Sequence, residues 1–260
     1  MTKPPHLGDS LSRVPFPLYP RKGSTELAMG TGFLYDLDGQ LYLLTARHNV
    51  TGRHAVTRVP LHSTAAIPDN LGVALWKSEG PGWIGIQVDL YDSEGQPDWF
   101  EHPLHGDNVD AVAIEISLPA GVRGFPINKE EFEAVPPAPG LDVFVLGYPK
   151  GISGGGLLPL WKRGSLASEP NIDIDELPKM LIDTATRQGM SGAPVVAQIV
   201  GYWLPEDATD ASQTIIGRGR TLVGLYSGRI GDDEFLAQLG TVWKIEALLE
   251  IMKGKHRPPT

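Results

Sequence analysis

Residues 187–196 read Arg187-Gln188-Gly189-Met190-Ser191-Gly192-Ala193-Pro194-Val195-Val196. A serine stands between glycines, just before a short apolar run. Such a serine is either the tip of a tight turn or a nucleophile held on a bend. Gly-x-Ser-Gly turns are common, so the stretch decides nothing by itself. A nucleophile also needs a base, a carboxylate to orient that base, and a scaffold that brings all three together.

Composition bounds the scaffold. The 260 residues are 41% hydrophobic and 20% charged, the balance of a globular protein with a full core. The 31 glycines and 23 prolines fit many turns between short strands better than a bundle of helices. With 0 cysteines, disulfides, thiolate metal sites and cysteine nucleophiles are excluded, and the chain suits a reducing compartment. A formal net charge of -9, with no Lys/Arg run to offset it, argues against a nucleic-acid partner. The proline-rich, polar start lacks the apolar centre of a secretion signal, and no stretch reaches the ~18 apolar residues of a membrane span. The expectation is a soluble, cytoplasmic protein without a membrane partner. His102-Pro103-Leu104-His105 is an isolated histidine pair with no His-Glu-x-x-His pattern, so neither a metal nor a cofactor is expected.

Short apolar runs with period-two character recur along the chain. Residues 1–22 read as an irregular arm. Gly32-Phe33-Leu34-Tyr35 and Leu41-Tyr42-Leu43-Leu44-Thr45-Ala46 flank an Asp38-Gly39 turn, the signature of a hairpin. Further strands are expected over 72–76, 83–90 and 110–117. A proline-rich linker over 118–140 precedes a second strand-rich half, with strands over 142–148, 180–184, 193–200 and 222–226. The glycine-rich loop over 151–156 lacks a following Gly-Lys-Ser/Thr and reads as a hairpin tip rather than a phosphate cradle. Val242, Ile245, Leu249 and Met252 recur at helical spacing behind Thr241, which predicts one closing helix with Thr241 as its cap. The pattern is all-β in two halves with a C-terminal helix; two barrels or a sandwich satisfy it.

Of seven histidines, only His48 directly follows a strong strand signal, which would hold its imidazole in a fixed place. The orienting acid should be shielded from water. Asp110 opens the apolar run Ala111-Val112-Ala113-Ile114 and is preferred; Asp107, in more polar sequence, is the alternative. Chain order then discriminates. His48, Asp110 and Ser191 follow the order His, Asp, Ser, whereas an α/β-hydrolase elbow needs Ser, acid, His and a glycine where Ala193 stands.

These residues resemble the chymotrypsin/trypsin-like serine proteases. Gly30-Thr31-Gly32-Phe33 with Leu44-Thr45-Ala46-Arg47-His48 resembles the family's Gly-Ser/Thr-Gly-Phe strand and Thr-Ala-x-His. Asp110-Ala111-Val112-Ala113 resembles its Asp followed by small and aliphatic residues, and 189–194 its Gly-x-Ser-Gly-Gly/Ser-Pro. Gly224-Leu225-Tyr226-Ser227-Gly228 is similar to the strand that lines the substrate cleft. Leu146-Gly147-Tyr148-Pro149 is similar to the start of the second barrel in bacterial members, the high-temperature-requirement proteases among them. The resemblance runs over roughly 24–250.

The resemblance implies a double β-barrel with the site between its halves: an arm (1–22), a first barrel (23–120), a linker (121–140), a second barrel (141–234) and a helix (235–254). It implies a serine endopeptidase acting on polypeptides through Ser191 as nucleophile, His48 as base and Asp110 as orienting acid. The N–H groups of Gly189 and Ser191 would form the oxyanion hole. Ser227, Gly228 and Arg229 would form the edge that pairs with substrate. Ala185 and Thr186 would lie in the specificity pocket, where Ala185 replaces the aspartate that selects Lys or Arg. Thr186 stands where glutamate-selective members carry a small hydroxyl residue, but Tyr226 does not match the histidine that those members use. Arg229 would narrow the cleft, meet an acidic side chain or lie solvated in its loop. A small or medium apolar residue before the cut is the default expectation. Met190 stands where many animal members carry an aspartate that pairs with a freed N-terminus, so activation by N-terminal cleavage is not expected. A binding module on a silent protease fold and an esterase with the same three residues are the alternatives. Such a protease must be restrained, and a narrow cleft, a gating loop or a regulatory protein partner is the expectation.

Overall fold

The computed structural model describes residues 8–130, 132, 134–205, 207–229 and 238–259. The first half forms strands β1 (Phe16–Lys22), β2 (Thr25–Glu26), β3 (Gly30–Leu37), β4 (Gln40–Thr45), β5 (Asn70–Lys77), β6 (Trp83–Asp89), β7 (Val112–Glu115) and β8 (Val122–Arg123), with a short helix α1 (Arg47–Thr51) after β4. The main path of the curled antiparallel sheet is β6-β5-β1-β3-β4-β7. Its open edges are drawn together by the segment between β6 and β7. Phe100 exchanges backbone bonds with Ala113, and Asp98 N–H donates to the Leu90 carbonyl at 2.9 Å. The expected turn is there: Asp38 and Gly39 take φ of 53° and 86°, and Leu37 pairs with Gln40 across it.

The second half forms β9 (Asp142–Gly147), β10 (Leu160–Leu166), β11 (Lys179–Asp183), β12 (Ala193–Trp203), β13 (Ile215–Arg229) and β14 (Leu239–Lys244), followed by helix α2 (Ile245–Gly254). These six strands close into a barrel in the order β10-β11-β14-β13-β12-β9. The chain is therefore all-β in two curled halves with one C-terminal helix. No helix among the described residues is long and apolar enough to cross a membrane.

Strand alternation builds three apolar clusters rather than two. Leu34, Leu43 and Val112 point into the first barrel, while their neighbours Phe33, Leu44 and Ala113 point out of it. In the second barrel Val195 points in and Val196 points out. The outward set meets Leu146, Leu225 and the Leu248, Ile251 and Met252 face of α2, forming a seam between the halves. Strands that face a core on both sides read as unbroken apolar runs, which is why Leu41 to Ala46 shows so little polar alternation.

Three local expectations need correction. Residues 16–22 are not part of an arm but strand β1, paired between β3 and β5. Phe16 and Leu18 insert into the first barrel, and their burial outweighs the ladder donors missing at Pro17 and Pro20. The helical spacing that began at Val242 overshoots. Thr241 and Val242 belong to β14, where Val242 fills the second barrel, and the helix starts at Ile245 with Lys244 as its cap. Residues 235–237 of the expected helix lie outside the described residues. The strands expected over 193–200 and 222–226 are longer and form one hairpin: β12 runs out to Trp203, β13 returns from Ile215, and Tyr202 pairs with Ile216. Glu206 lies outside the described residues.

Candidate active site

His48 owes its position to a strand that stops abruptly. β4 ends at Thr45, Ala46 caps α1, and the helix closes after five residues at Gly52, whose φ is 63°. The short helix holds the imidazole against Asp110, two residues before β7. Asp110 Oδ1 accepts the His48 backbone N–H at 2.9 Å, and Oδ2 lies 2.8 Å from the imidazole Nδ1. Asp110 is 5% exposed, between the buried Val109 and Ala111. Asp107 is instead drawn to Arg58, 3.0 Å away on the surface. Of the two carboxylates left open by the sequence, Asp110 is thus the one that meets His48. Burial pushes the His48 imidazole down, but the Asp110 charge and hydrogen bond together outweigh it and hold the imidazole above its ordinary value.

Ser191 reaches the same cleft from the second barrel. Its Oγ donates to the Ser227 carbonyl at 3.0 Å rather than to His48. The preceding turn is tightly determined. Gly189 takes φ +95°, and a Cβ there would lie 2.4 Å from the Tyr148 carbonyl oxygen. Lys150 N–H holds the Gln188 carbonyl at 2.7 Å, and Thr31 Oγ1 donates to the Gly189 carbonyl at 2.8 Å. The N–H groups of Gly189 and Ser191 donate to no other group among the described residues.

Sequence reasoning missed the brace behind this turn. Thr31 N–H donates to the Ser191 carbonyl at 2.8 Å, and Asn49 Nδ2 donates to the same oxygen at 3.1 Å. Asn49 also donates to Thr45 Oγ1 at 3.0 Å, and Thr45 Oγ1 donates to the Thr31 carbonyl at 2.8 Å. Thr31, Thr45 and Asn49 are all buried. They carry polar groups across the seam and tie the first barrel to the loop of the second. The only local signal was a run of small polar residues beside glycines and His48, which many turns share.

His48, Asp110, Gly189 and Ser191 line one cavity of about 640 Å³, with Tyr226, Ser227, Gly228 and Arg229 along its wall. Thr186 is fully buried and meets this wall through a short hydrogen bond to the Tyr226 hydroxyl. Ala185 does not line the cavity. Burial pushes the Tyr226 phenol up to about 12, against smaller opposing effects of Thr186 and Arg229. Trp243 Nε1 donates to Ser227 Oγ at 3.1 Å. β12 pairs with β13 only as far as Tyr226, so residues 227–229 have no strand partner on that side. No cluster of three or more metal-ligating side chains occurs among the described residues.

A β-barrel pair with this cleft defines a class, and the comparisons agree. The trypsin-like peptidase domain matches residues 30–201, and the chain belongs to that family. The chain is similar in fold to a serine endoprotease from Yersinia pestis, with a TM-score of 0.51 at 15% identity, covering 94% of this chain and 62% of that one. It therefore spans less than two thirds of that protein. An inactive form of the Rv3671c protease from M. tuberculosis superposes with a TM-score of 0.47 at 18% identity, covering 94% and 89% of the two chains. No curated protein matches the sequence. Family and fold agree on a trypsin-like peptidase domain.

Proposed function

We propose that the protein is a serine endopeptidase that cleaves peptide bonds through an acyl-enzyme on Ser191. The observation that carries this reading is the two-point grip of Asp110 on His48 beside Ser191 in one cleft. Asp110 fixes the tautomer with hydrogen on Nδ1, which leaves Nε2 free to take a proton. Ser191 Oγ attacks the scissile carbonyl as His48 removes its hydrogen. The imidazolium then gives that proton to the leaving amine, and water repeats the sequence to free the acid. The N–H groups of Gly189 and Ser191 stabilise the oxyanion, each such donor being worth ~10²–10³-fold in turnover. Residues 227–229 add the substrate as a short strand, and Ala185 and Thr186 stand behind the pocket wall that receives its side chain.

One observation favours a second reading. With Ser191 Oγ bound to the Ser227 carbonyl, the nucleophile must rotate about its side-chain bond before His48 can reach its proton. A latent protease fold, opened by a partner, fits this rotamer. An esterase would share the acyl-enzyme step and differ only in the bond it accepts.

Fluorophosphonate labelling followed by mass spectrometry tests the proposal. Rapid labelling at Ser191, absent from Ser191→Ala and His48→Ala, is the expected result, with cleavage of casein or a peptide library in the same samples. A folded wild type that neither labels nor cleaves would overturn it in favour of the latent reading. Cleavage of esters alone would favour the esterase.

A further inference from the structure

His48 rides on a helix too short to hold itself. α1 spans only Arg47–Thr51, and its cap residue Ala46 makes no side-chain bond to the helix end. A single helical turn is unstable alone, because ordering it fixes several residues for very few bonds. Its direction must come from what its side chains grip. Successive side chains leave a helix about 100° apart, so Arg47, His48 and Asn49 reach out on three sides. His48 meets Asp110, and Asn49 meets the Ser191 carbonyl at 3.1 Å. Arg47 meets Glu101: its Nε donates to Oε1 at 2.6 Å.

Glu101 is itself fixed. Trp99 Nε1 donates to the same oxygen at 3.3 Å, and the Glu101 backbone N–H donates to the His256 carbonyl at 2.8 Å. The neighbouring Phe100 exchanges backbone bonds with Ala113, three residues after Asp110. The carboxylate that holds Arg47 and the carboxylate that holds His48 therefore stand on one ladder. The Glu101 side chain is 3% exposed and that of Arg47 14%. Ion pairs this deep add little net stability, since apolar side chains of similar volume often serve the fold as well. Neither residue lines the cleft. What the pair supplies is direction, because a guanidinium bound at a fixed angle resists rolling of the helix about its axis. A roll of about 10° moves an atom about 6 Å from the axis by about 1 Å, and a displacement of that size costs up to ~10²-fold in rate.

We propose that Arg47 and Glu101 are positioning residues, whose buried ion pair sets the roll of α1 and thereby keeps the His48 imidazole aligned with Asp110 and Ser191. This rests on the peptidase reading above. Removing one partner alone would strand a buried charge. The test is therefore the double variant Arg47→Met/Glu101→Gln, which buries no charge and keeps an acceptor for Trp99. Melting close to wild type is expected, with KM within about twofold and kcat lower by about 10–100-fold. A loosened Asp110 contact lowers the proton affinity of His48, so the acid limb of the pH–rate profile should move to lower pH. A third readout needs no turnover. In Ser191→Ala the His48 Nδ1 hydrogen, bonded to a carboxylate, gives a far-downfield proton NMR signal, and the double change should move it upfield or broaden it away. Arg47→Lys keeps the charge but not the fork; it should shift all three readouts the same way by less, and it decides the question if the double variant does not fold. A folded variant with wild-type kcat, acid limb and Nδ1 signal overturns the proposal. So does a loss of kcat with the limb and the signal unmoved, which marks a merely structural pair. A moved signal in a protein whose wild type cleaves nothing keeps the positioning role and removes the peptidase reading. Wild-type cleavage with an unmoved signal does the reverse.

Discussion

Changing Asp110 to asparagine alters one acceptor in a site whose hydrogen bonds can be counted. Oδ1 accepts the His48 backbone N–H at 2.9 Å and Oδ2 faces the imidazole Nδ1 at 2.8 Å. An amide of the same shape offers one oxygen and one NH₂. If the NH₂ faced the backbone N–H, two donors would oppose each other, and the backbone cannot change its role. The oxygen therefore stays on the backbone and the NH₂ faces Nδ1. The imidazole can accept there only by moving its hydrogen to Nε2, the atom that must receive the Ser191 proton. The same change in a Ser-His-Asp protease lowers turnover about 10⁴-fold, and at 1.36 kcal/mol per decade that is about 5.4 kcal/mol of barrier. Stability should fall far less, because both His48 donors keep or adapt their partners; Asp110→Ala, which orphans the backbone N–H, should lose about 1–3 kcal/mol. Fluorophosphonate labelling rates and peptide kcat/KM, read beside thermal melts, measure both quantities. A folded Asp110→Asn variant that keeps more than about a tenth of wild-type activity would refute the tautomer argument.

Three further outcomes follow from the same geometry. His48 is held above its ordinary value of about 6.5, and only its neutral form is a base, so activity should climb with pH through that raised value. The stability from the His48–Asp110 pair has the opposite sign: it is complete below about 6.5 and is lost as pH rises through the raised value. pH–rate profiles and melts over one pH series check this, and an activity midpoint at or below 6.5 would contradict it. Gly189→Ala places a Cβ 2.4 Å from a backbone oxygen at φ +95°, so the turn must shift. Labelling should slow by ~10²–10³-fold, with about 1–3 kcal/mol of strain in denaturant titrations. Asn49→Ala removes one of the two donors on the Ser191 carbonyl but leaves Thr31 N–H in place. It should cost about 1–3 kcal/mol in stability and slow labelling less than Gly189→Ala; equal slowing would mean that Asn49 alone positions the loop.

Local periodicity and order determined much of this protein. The Asp-Gly hairpin, the short apolar runs of both halves and the chain order histidine, aspartate, serine were legible because each depends on neighbours within a few residues, or only on chain order. What the tertiary structure decided depends on partners far along the chain. β1 pairs with β3 and β5 despite its prolines, because its apolar residues find a barrel to fill. Val242 fits a helix by spacing and a strand by burial, and the barrel interior settled the contest. Asp107 and Asp110 lie three residues apart, and the apolar run after Asp110 favoured it without excluding Asp107; folding assigns one to Arg58 and the other to His48. Asn49 bonds the carbonyl of Ser191 across 142 positions, and Ser227 takes the Ser191 hydroxyl across 36. Such bonds leave no periodic trace in a sequence, because they depend on where a backbone oxygen comes to rest rather than on which residues stand beside it.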